Sequence, residues 1–183
     1  AGVGASGDID TFSIKDFQWT VDINLMGAVK GCHVCVPLLK ESKGLLINVA
    51  SMAGLLHMGS MSAYNVSKAG MVAFSEGLLS ELDPYGVKVS VVCPTFFQSN
   101  LAKGMRSDDP NAVKIAAKLH AGTGITAESI ATTVYNRVGS PVATVTLVGP
   151  PAELQPRVAK LSKLLIKHVD AWAQRATNPR EAI

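Results

Sequence analysis

Cysteine is scarce in this chain, three residues in 183, too few for the disulfide framework of a small secreted domain. Nor does any basic stretch lead into a short apolar stretch and a small-residue cleavage site, as a secretory signal would require. A reducing, cytoplasmic setting is therefore expected. Long apolar runs are missing too: the most hydrophobic stretches, 25–39 and 87–97, are broken by Lys30, His33, Lys88 and Pro94. Neither approaches the ~20 apolar residues of a membrane span. Charge is sparse and balanced, 17 basic against 14 acidic residues with no Lys/Arg run, which excludes the electrostatic footprint of a nucleic-acid binder. What remains is 48% hydrophobic and 17% charged, a composition that buries a core.

Periodicity organises that composition into alternating elements. Ser13-Ile14-Lys15-Asp16 has the spacing of a capping box, and Phe17, Val21, Leu25, Val29, Cys32, Val36 and Leu39 recur at helical intervals. One long helix over about 14–41 is predicted. Gly44 then opens the apolar run 45–51, read as a strand buried on both faces and ending at Ser51. A loop rich in Met, Gly and Ser over 52–61 leads to Ser62, the expected cap of a helix to Leu82 that Asp83-Pro84-Tyr85-Gly86 closes. Val87 to Cys93 reads as a second strand, and Pro110 as the first residue of a helix to about His120. Thr126 caps a helix ending near Gly139, and 142–148 reads as a third strand. Leu154, Val158, Leu161, Leu165, His168 and Trp172 form one stripe of a closing amphipathic helix. Strands separated by helices of this size predict an α/β fold with a parallel sheet and right-handed crossovers. A single domain 1–183 is expected, with 1–150 as its core and 151–183 as a helical extension.

Two familiar patterns are set aside. Gly2-Val3-Gly4-Ala5-Ser6-Gly7 spells GxGxxG, with Asp22 20 residues after Gly2. A dinucleotide fingerprint needs a strand before it and a helix directly after it, so that phosphate meets free N–H groups. Here Asp8 and Asp10 follow, and Asp22 falls inside a predicted helix. Cys32-His33-Val34-Cys35 is a CxxC, but it lies deep inside that same helix, where no helix N-terminus lowers a thiol pKa. With no second pair for a zinc site, no metal is expected and the cysteines are read as packing residues.

The informative pattern lies between 51 and 68. Ser51 ends a strand, Tyr64 follows 13 residues later, and Lys68 stands one helical turn beyond Tyr64 on the same face. A phenol near its ordinary pKa of ~10 is a poor base at neutral pH, and a nearby cation stabilises the phenolate. Ser51, at the carboxyl end of a parallel strand, is placed to hold a carbonyl or alkoxide oxygen. Asn24 lies on the apolar side of the first helix, where an unpartnered amide costs ~1–3 kcal/mol, so it is expected to bond something specific. Spacing alone leaves open a strand-end serine, a packed tyrosine and a solvated lysine.

Taken together, Asp22-Ile23-Asn24-Leu25, Ile47-Asn48-Val49-Ala50-Ser51-Met52-Ala53-Gly54, Tyr64-Asn65-Val66-Ser67-Lys68-Ala69-Gly70 and Val91-Val92-Cys93-Pro94 resemble the short-chain dehydrogenases/reductases. The likeness is dense over 1–101 and beyond that extends only to element order. It implies a Rossmann-like, doubly wound sheet and an oxidoreductase that passes hydride between NAD or NADP and a carbonyl or alcohol substrate. It further implies that Tyr64 is the acid/base, Lys68 binds the nicotinamide ribose and lowers the tyrosine pKa, Ser51 steadies the substrate oxygen, and Asn24 holds a relay water. Ala1-Gly2 is similar to the end of the family's Asn-Asn-Ala-Gly motif, which places both on the cofactor side. Pro94, Thr95, Phe97 and Ser99 would contact the nicotinamide, although Thr95 stands where the family commonly has Gly and Ser99 where it has Thr. At ~30 or more residues per βαβ unit, about 80–90 residues would precede Ala1 and carry the glycine-rich turn and the NAD/NADP selector. The chain alone is expected to be inactive, and the helices carrying Asn24 and Tyr64 are expected to form a homo-oligomer interface.

The loops around the expected reaction centre hold Met52, Leu55, Leu56, Met58, Phe96, Phe97, Leu101 and Met105. An apolar substrate follows, touched by Ser51, Met52, Tyr64 and Phe96. His57 is read as a loop residue. Arg157, Lys160, Lys163 and Lys167 oppose the apolar stripe of the closing helix, which is read as a soluble amphipathic helix rather than a membrane anchor. The rival from another class is a truncated, non-catalytic module of the same family with a structural or interaction role, and a CxxC thiol oxidoreductase is a third reading.

Overall fold

The periodic segment that opens the chain forms helix, but not one helix. A computed structural model describes residues 2–137 and 145–148, and in it α1 (Ile14–Val21) and α2 (Gly27–Ser42) are separated by a π turn over Asp22–Met26. Ser13 caps α1, its Oγ accepting from the Asp16 N–H. The turn is marked by the Gly27 N–H reaching back five residues to the Asp22 carbonyl. An extra residue in one turn re-aims the side chains around it, and here it swings Asn24 inward to a nearly full burial. Hydrophobic periodicity cannot register that one-residue insertion.

After a left-handed Lys43, β2 (Leu45–Val49) pairs in parallel with β3 (Lys88–Pro94), and β3 with β5 (Val145–Val148), giving the order β2-β3-β5. The helix α3 (Ser62–Leu82) makes the crossover from β2 to β3. Two expectations for this region are corrected. Strand β2 stops at Val49 rather than Ser51, and it lies at the sheet edge among the described residues, with Val49 59% exposed. It is not buried on both faces: Leu45 to Ile47 are half-buried and, of the rest, only Asn48 is buried. Ser62 is the first helical residue, and the capping position is Met61, which supplies no side-chain bond.

The core forms where α2 and α3 lie on the sheet. Cys32, Leu78, Leu82, Val87 and Val89 make one cluster, joined by Val36, Leu39 and Leu46. Ala50, Met71, Val72, Val91 and Cys93 make a second, joined by Leu25 and Leu55. Buried polar groups stitch the layers together: Asn48 on β2 donates to Ser75 Oγ on α3 at 3.0 Å, and Ser75 donates back to the Met71 carbonyl at 2.7 Å.

The sequence did not announce a second, two-stranded parallel sheet, in which β1 (Ala5–Ser6) pairs with β4 (Arg106–Ser107). Two residues are too few for any periodic signal. This pairing places β4 beside the first residues, while α4 (Pro110–Gly122) and α5 (Ala127–Arg137) lead on to β5. The α4 helix runs past its expected end at His120 to Gly122. Only 145–148 of the third predicted strand, and none of the closing helix or its basic face, lie within the described residues.

Replacing Leu82, which has no exposed surface, by alanine is expected to lower unfolding free energy by about 2–5 kcal/mol. Ile115→Ala, on the exposed face of α4, should stay within about 0.5 kcal/mol. Urea denaturation of the two variants checks the placement of the core.

Candidate active site

The carboxyl end of β2 and the first turns of α3 meet around one short segment. Ser51 is extended and caps a 3-10 turn over Met52–Gly54, its Oγ accepting from the Ala53 N–H at 3.1 Å. Gly54 lies so close to α3 that a Cβ there would fall 2.6 Å from the Lys68 carbonyl. Only glycine lets the turn approach that closely. Ser51 is thereby brought against the face of α3 that carries Tyr64 and Lys68, near enough for its hydroxyl to influence the Tyr64 phenol.

Burial dominates the electrostatics of this face. Tyr64 and Lys68 are both more than nine-tenths buried. Desolvation is the largest influence on the Tyr64 phenol and pushes it above its ordinary value, while the Ser51 hydroxyl works against that rise. Lys68 Nζ stands 5.7 Å from the ring centroid, over the ring. The Lys68 ammonium itself is brought down to about 8 by burial, with neighbouring Cys93 favouring the charge. Among the described residues its hydrogen-bond partner is the Val49 carbonyl, at a long 3.4 Å. An ammonium carries three donors, so most of this donor capacity is open. Cys93, at the end of β3, is pushed up to about 11, chiefly by burial, and is a neutral neighbour.

Asn24 is tied down completely on its donor side. Its Nδ2 donates to the Val3 carbonyl at 2.9 Å and to Ser67 Oγ at 3.1 Å, while its Oδ1 accepts from the Val3 N–H at 2.8 Å. Ser67 in turn donates to the Tyr64 carbonyl at 2.8 Å. The specific bonds expected for Asn24 exist, to the Val3 backbone and to Ser67. Ser67 was not singled out from the sequence, although a serine three residues after Tyr64 on a buried helix face was the available signal. Asn65 was also missed. Its Nδ2 donates to the Met58 carbonyl at 2.8 Å, which pins the loop before α3.

On the other side of the site, Pro94 and Thr95 are buried at the end of β3, Phe96 and Phe97 are half-buried, and Ser99 is exposed. His120, from α4, braces this segment: its Nδ1 lies 2.8 Å from the Phe97 carbonyl and 3.3 Å from Ser99 Oγ, and its ring meets Phe96 edge-on. Met52 is half-buried beside Ser51. Of the other loop hydrophobes, Leu55 joins the core and Met105 packs against Gly4, so both have structural work apart from any substrate. Gly2 adjoins the Asn24 amide, and Ala1 lies outside the described residues.

The two set-aside motifs have other partners. The Gly7 N–H donates to the Ser60 carbonyl at 2.8 Å, and the Gly4 carbonyl accepts from the Arg106 N–H. Cys32 is buried with its Sγ against Asn48 Oδ1, whereas Cys35 is exposed. Among the described residues, no cluster of three or more His, Cys, Asp or Glu side chains could hold a metal ion, and no helix is long and apolar enough to cross a membrane.

The model of the short chain dehydrogenase family matches residues 1–110. The chain belongs to that family. It is 37% identical over 97 residues to the mitochondrial D-beta-hydroxybutyrate dehydrogenase of Bos taurus, a stretch covering 53% of this chain and 28% of that enzyme. It is 36% identical over 106 residues to retinol dehydrogenase 16 of Rattus norvegicus, covering 57% and 33%. The chain thus matches about a third or less of these relatives' length. Among solved structures it resembles a short-chain dehydrogenase/reductase from Burkholderia phymatum in complex with NAD, with a TM-score of 0.74 and 26% identity over 95% of this chain and 65% of that one. The parallel α/β architecture is that of the Rossmann-like sheet of this family.

The buried ammonium gives a direct test of the electrostatics. With a folded pKa of about 8 against an ordinary 10.5, Lys68 is protonated in both states below pH 8, and its burial penalty is then felt in full, roughly 3 kcal/mol. Between those two values the folded chain has released a proton that the unfolded chain still holds, so stability rises with pH. Cys93, raised from 9.0 to about 11, acts in the opposite sense, and comparison with a variant isolates the lysine. Lys68→Met is expected to be more stable than the parent at pH 7, by up to about 3 kcal/mol, with the gap closing through pH 8–10.5. Denaturation at stepped pH measures it, and a gap independent of pH contradicts the assignment.

Proposed function

We propose that this chain forms the catalytic side of an NAD(P)-dependent oxidoreductase that interconverts an alcohol and a carbonyl compound, with Tyr64 as proton donor and acceptor. The observation that carries the reading is the convergence of Ser51 with buried Tyr64 and Lys68 beyond the carboxyl end of β2, with the Lys68 ammonium holding open donor capacity. Family membership and the NAD complex of the Burkholderia phymatum neighbour support it.

The residues present suit a nicotinamide nucleotide. A buried ammonium with unused donors matches the paired hydroxyls of a ribose, and a hydroxyl at Ser99 matches a carboxamide. Residues that would hold the group are Gly2, Lys68, Pro94, Thr95, Phe97 and Ser99, together with the Tyr64 phenol, and when bound it would give or accept the hydride. The protein's own part is to hold and move a proton. Ser51 Oγ fixes the substrate oxygen next to the Tyr64 hydroxyl, so the phenol protonates a forming alkoxide or, in the reverse direction, takes the alcohol proton. The raised phenol pKa keeps Tyr64 protonated and so ready to donate. A cation beside the phenolate that remains then offsets its charge, which is the use of Lys68 in this reading. Ser67 bonds the Tyr64 carbonyl and Asn24 bonds Ser67, so the two tie the start of α3 to Val3 and take no proton themselves.

An apolar substrate remains the favoured class. Half-buried Met52, Leu56 and Phe96 adjoin Ser51 and the end of β3, and the rat relative named above is a retinol dehydrogenase. A homo-oligomer through α2 and α3 is supported by Val34, Leu38 and Val66, which are all at least half exposed on these helices. The free state of all three cysteines suits the cytoplasmic setting expected above.

In the full-length parent protein, Tyr64→Phe is expected to reduce turnover of a carbonyl substrate by about 10²–10⁴-fold. NADH binding, followed by nicotinamide fluorescence, should stay within a few-fold. Undiminished turnover would overturn the assignment of Tyr64.

A further inference from the structure

His120 is a buried titratable side chain that the mechanism above does not use. It belongs to α4, 23 residues beyond Phe97, yet three of its contacts fall on the segment that follows β3. Phe96 packs edge-on to its ring at a centroid distance of 5.4 Å. Its Nδ1 lies 2.8 Å from the Phe97 carbonyl and 3.3 Å from Ser99 Oγ.

These distances settle where the protons are. A backbone carbonyl has no proton to give, so the 2.8 Å contact requires that Nδ1 carry the hydrogen, whether the ring is neutral or charged. The same N–H then leans toward Ser99 Oγ, which must accept. Ser99 Oγ also accepts from the Leu101 N–H at 3.4 Å. With both acceptor directions of the hydroxyl occupied, the Ser99 hydrogen is the part left over, on a side chain exposed at the mouth of the segment.

We propose that His120 is a positioning residue for cofactor binding: by donating from Nδ1 to the Phe97 carbonyl and Ser99 Oγ, it fixes the 96–99 segment and commits Ser99 to act as a hydrogen-bond donor. The ligand group it prepares for is an acceptor, the carbonyl oxygen of a nicotinamide carboxamide rather than its amino group. This rests on the nicotinamide reading given above, and it adds both the remote residue and the polarity of the contact.

The test uses the full-length parent protein and titrations of NADH and NADPH followed by nicotinamide fluorescence, with thermal midpoints as the folding control. For the nucleotide that the parent binds, Ser99→Ala and His120→Leu are each expected to weaken binding by about 10-fold. In the double variant the losses should be far from additive, since one acts through the other. His120→Asn, whose Nδ2 can take the place of Nδ1 as donor, should recover most of the affinity. Turnover of a carbonyl substrate at saturating cofactor should change less than cofactor KM. The 3-acetylpyridine analogue of the nucleotide keeps the carbonyl oxygen and lacks the amino group, so the Ser99→Ala loss should persist with it. Loss of that effect with the analogue would show Ser99 accepting from the amino group, and would overturn the polarity. Additive losses, unchanged binding in folded variants, or failure of His120→Asn to rescue would overturn the role of His120. A parent protein that binds neither nucleotide would instead overturn the nicotinamide reading itself, and this proposal with it.

Discussion

One carboxamide holds three parts of this molecule in register. Asn24 grips the Val3 backbone at both its N–H and its carbonyl, and reaches Ser67 on α3 with its remaining amino hydrogen. Each bond contributes only about 0.5–1.5 kcal/mol net, but a severed buried partner costs about 1–3. The arrangement therefore has few neighbouring alternatives. It also requires the π turn, because a regular helix would carry Asn24 to a different angle and leave Ser67 and Val3 unsatisfied. The position of Tyr64 follows from this through the Ser67 bond to its carbonyl. A π turn, an inward-facing asparagine and a placed phenol go together.

Against that scaffold, the reactive face is built at the expense of stability. A lysine and a tyrosine are both withdrawn from water, and each resists charge: the lysine falls to about 8 and the phenol rises. Such penalties are characteristic of sites whose groups have been placed for chemistry rather than for folding. The neighbouring Cys93 favours the lysine's charge, but too weakly to undo the fall. The lysine keeps one long bond, to the Val49 carbonyl, as compensation. The tension is local, since the two apolar clusters beneath α2 and α3 supply the general cohesion.

The legible parts of this architecture are those with a repeating or fixed-offset signal. Helix α3 and the adjacent strands β2 and β3 follow from hydrophobic period and turn residues, and Ser51, Tyr64 and Lys68 from their spacing on those elements. Illegible were features made by single contacts between distant segments. The π turn changes the helix by one residue, too little to disturb the pattern of Phe17, Val21 and Leu25. The β1–β4 pair involves two residues from each strand. His120 lies in a different helix from everything it braces, and nothing in its own neighbourhood marks it. Burial was the least visible quantity: spacing places Tyr64 and Lys68 on one helix face but does not show that desolvation is the largest influence on both.

The segment after Pro94 shows how such unannounced contacts divide the labour. Near its start it is held by buried chemistry: the ladder of β3, the Gln98 N–H on the Ile125 carbonyl at 2.8 Å, and the His120 ring. Farther on, it is held at the surface. The Arg106 guanidinium lies 3.7 Å over the Trp19 ring and pairs with Asp16, at 44% and 32% side-chain exposure for the two ions. An exposed ion pair contributes about 0–1 kcal/mol, and an exposed cation–π contact about 0.5–1. Thermal energy therefore separates the later stretch from α1 more readily than it separates Thr95 to Ser99 from α4. A chain fastened in this graded way can loosen over residues 100–107 while Thr95 to Ser99 keep their geometry.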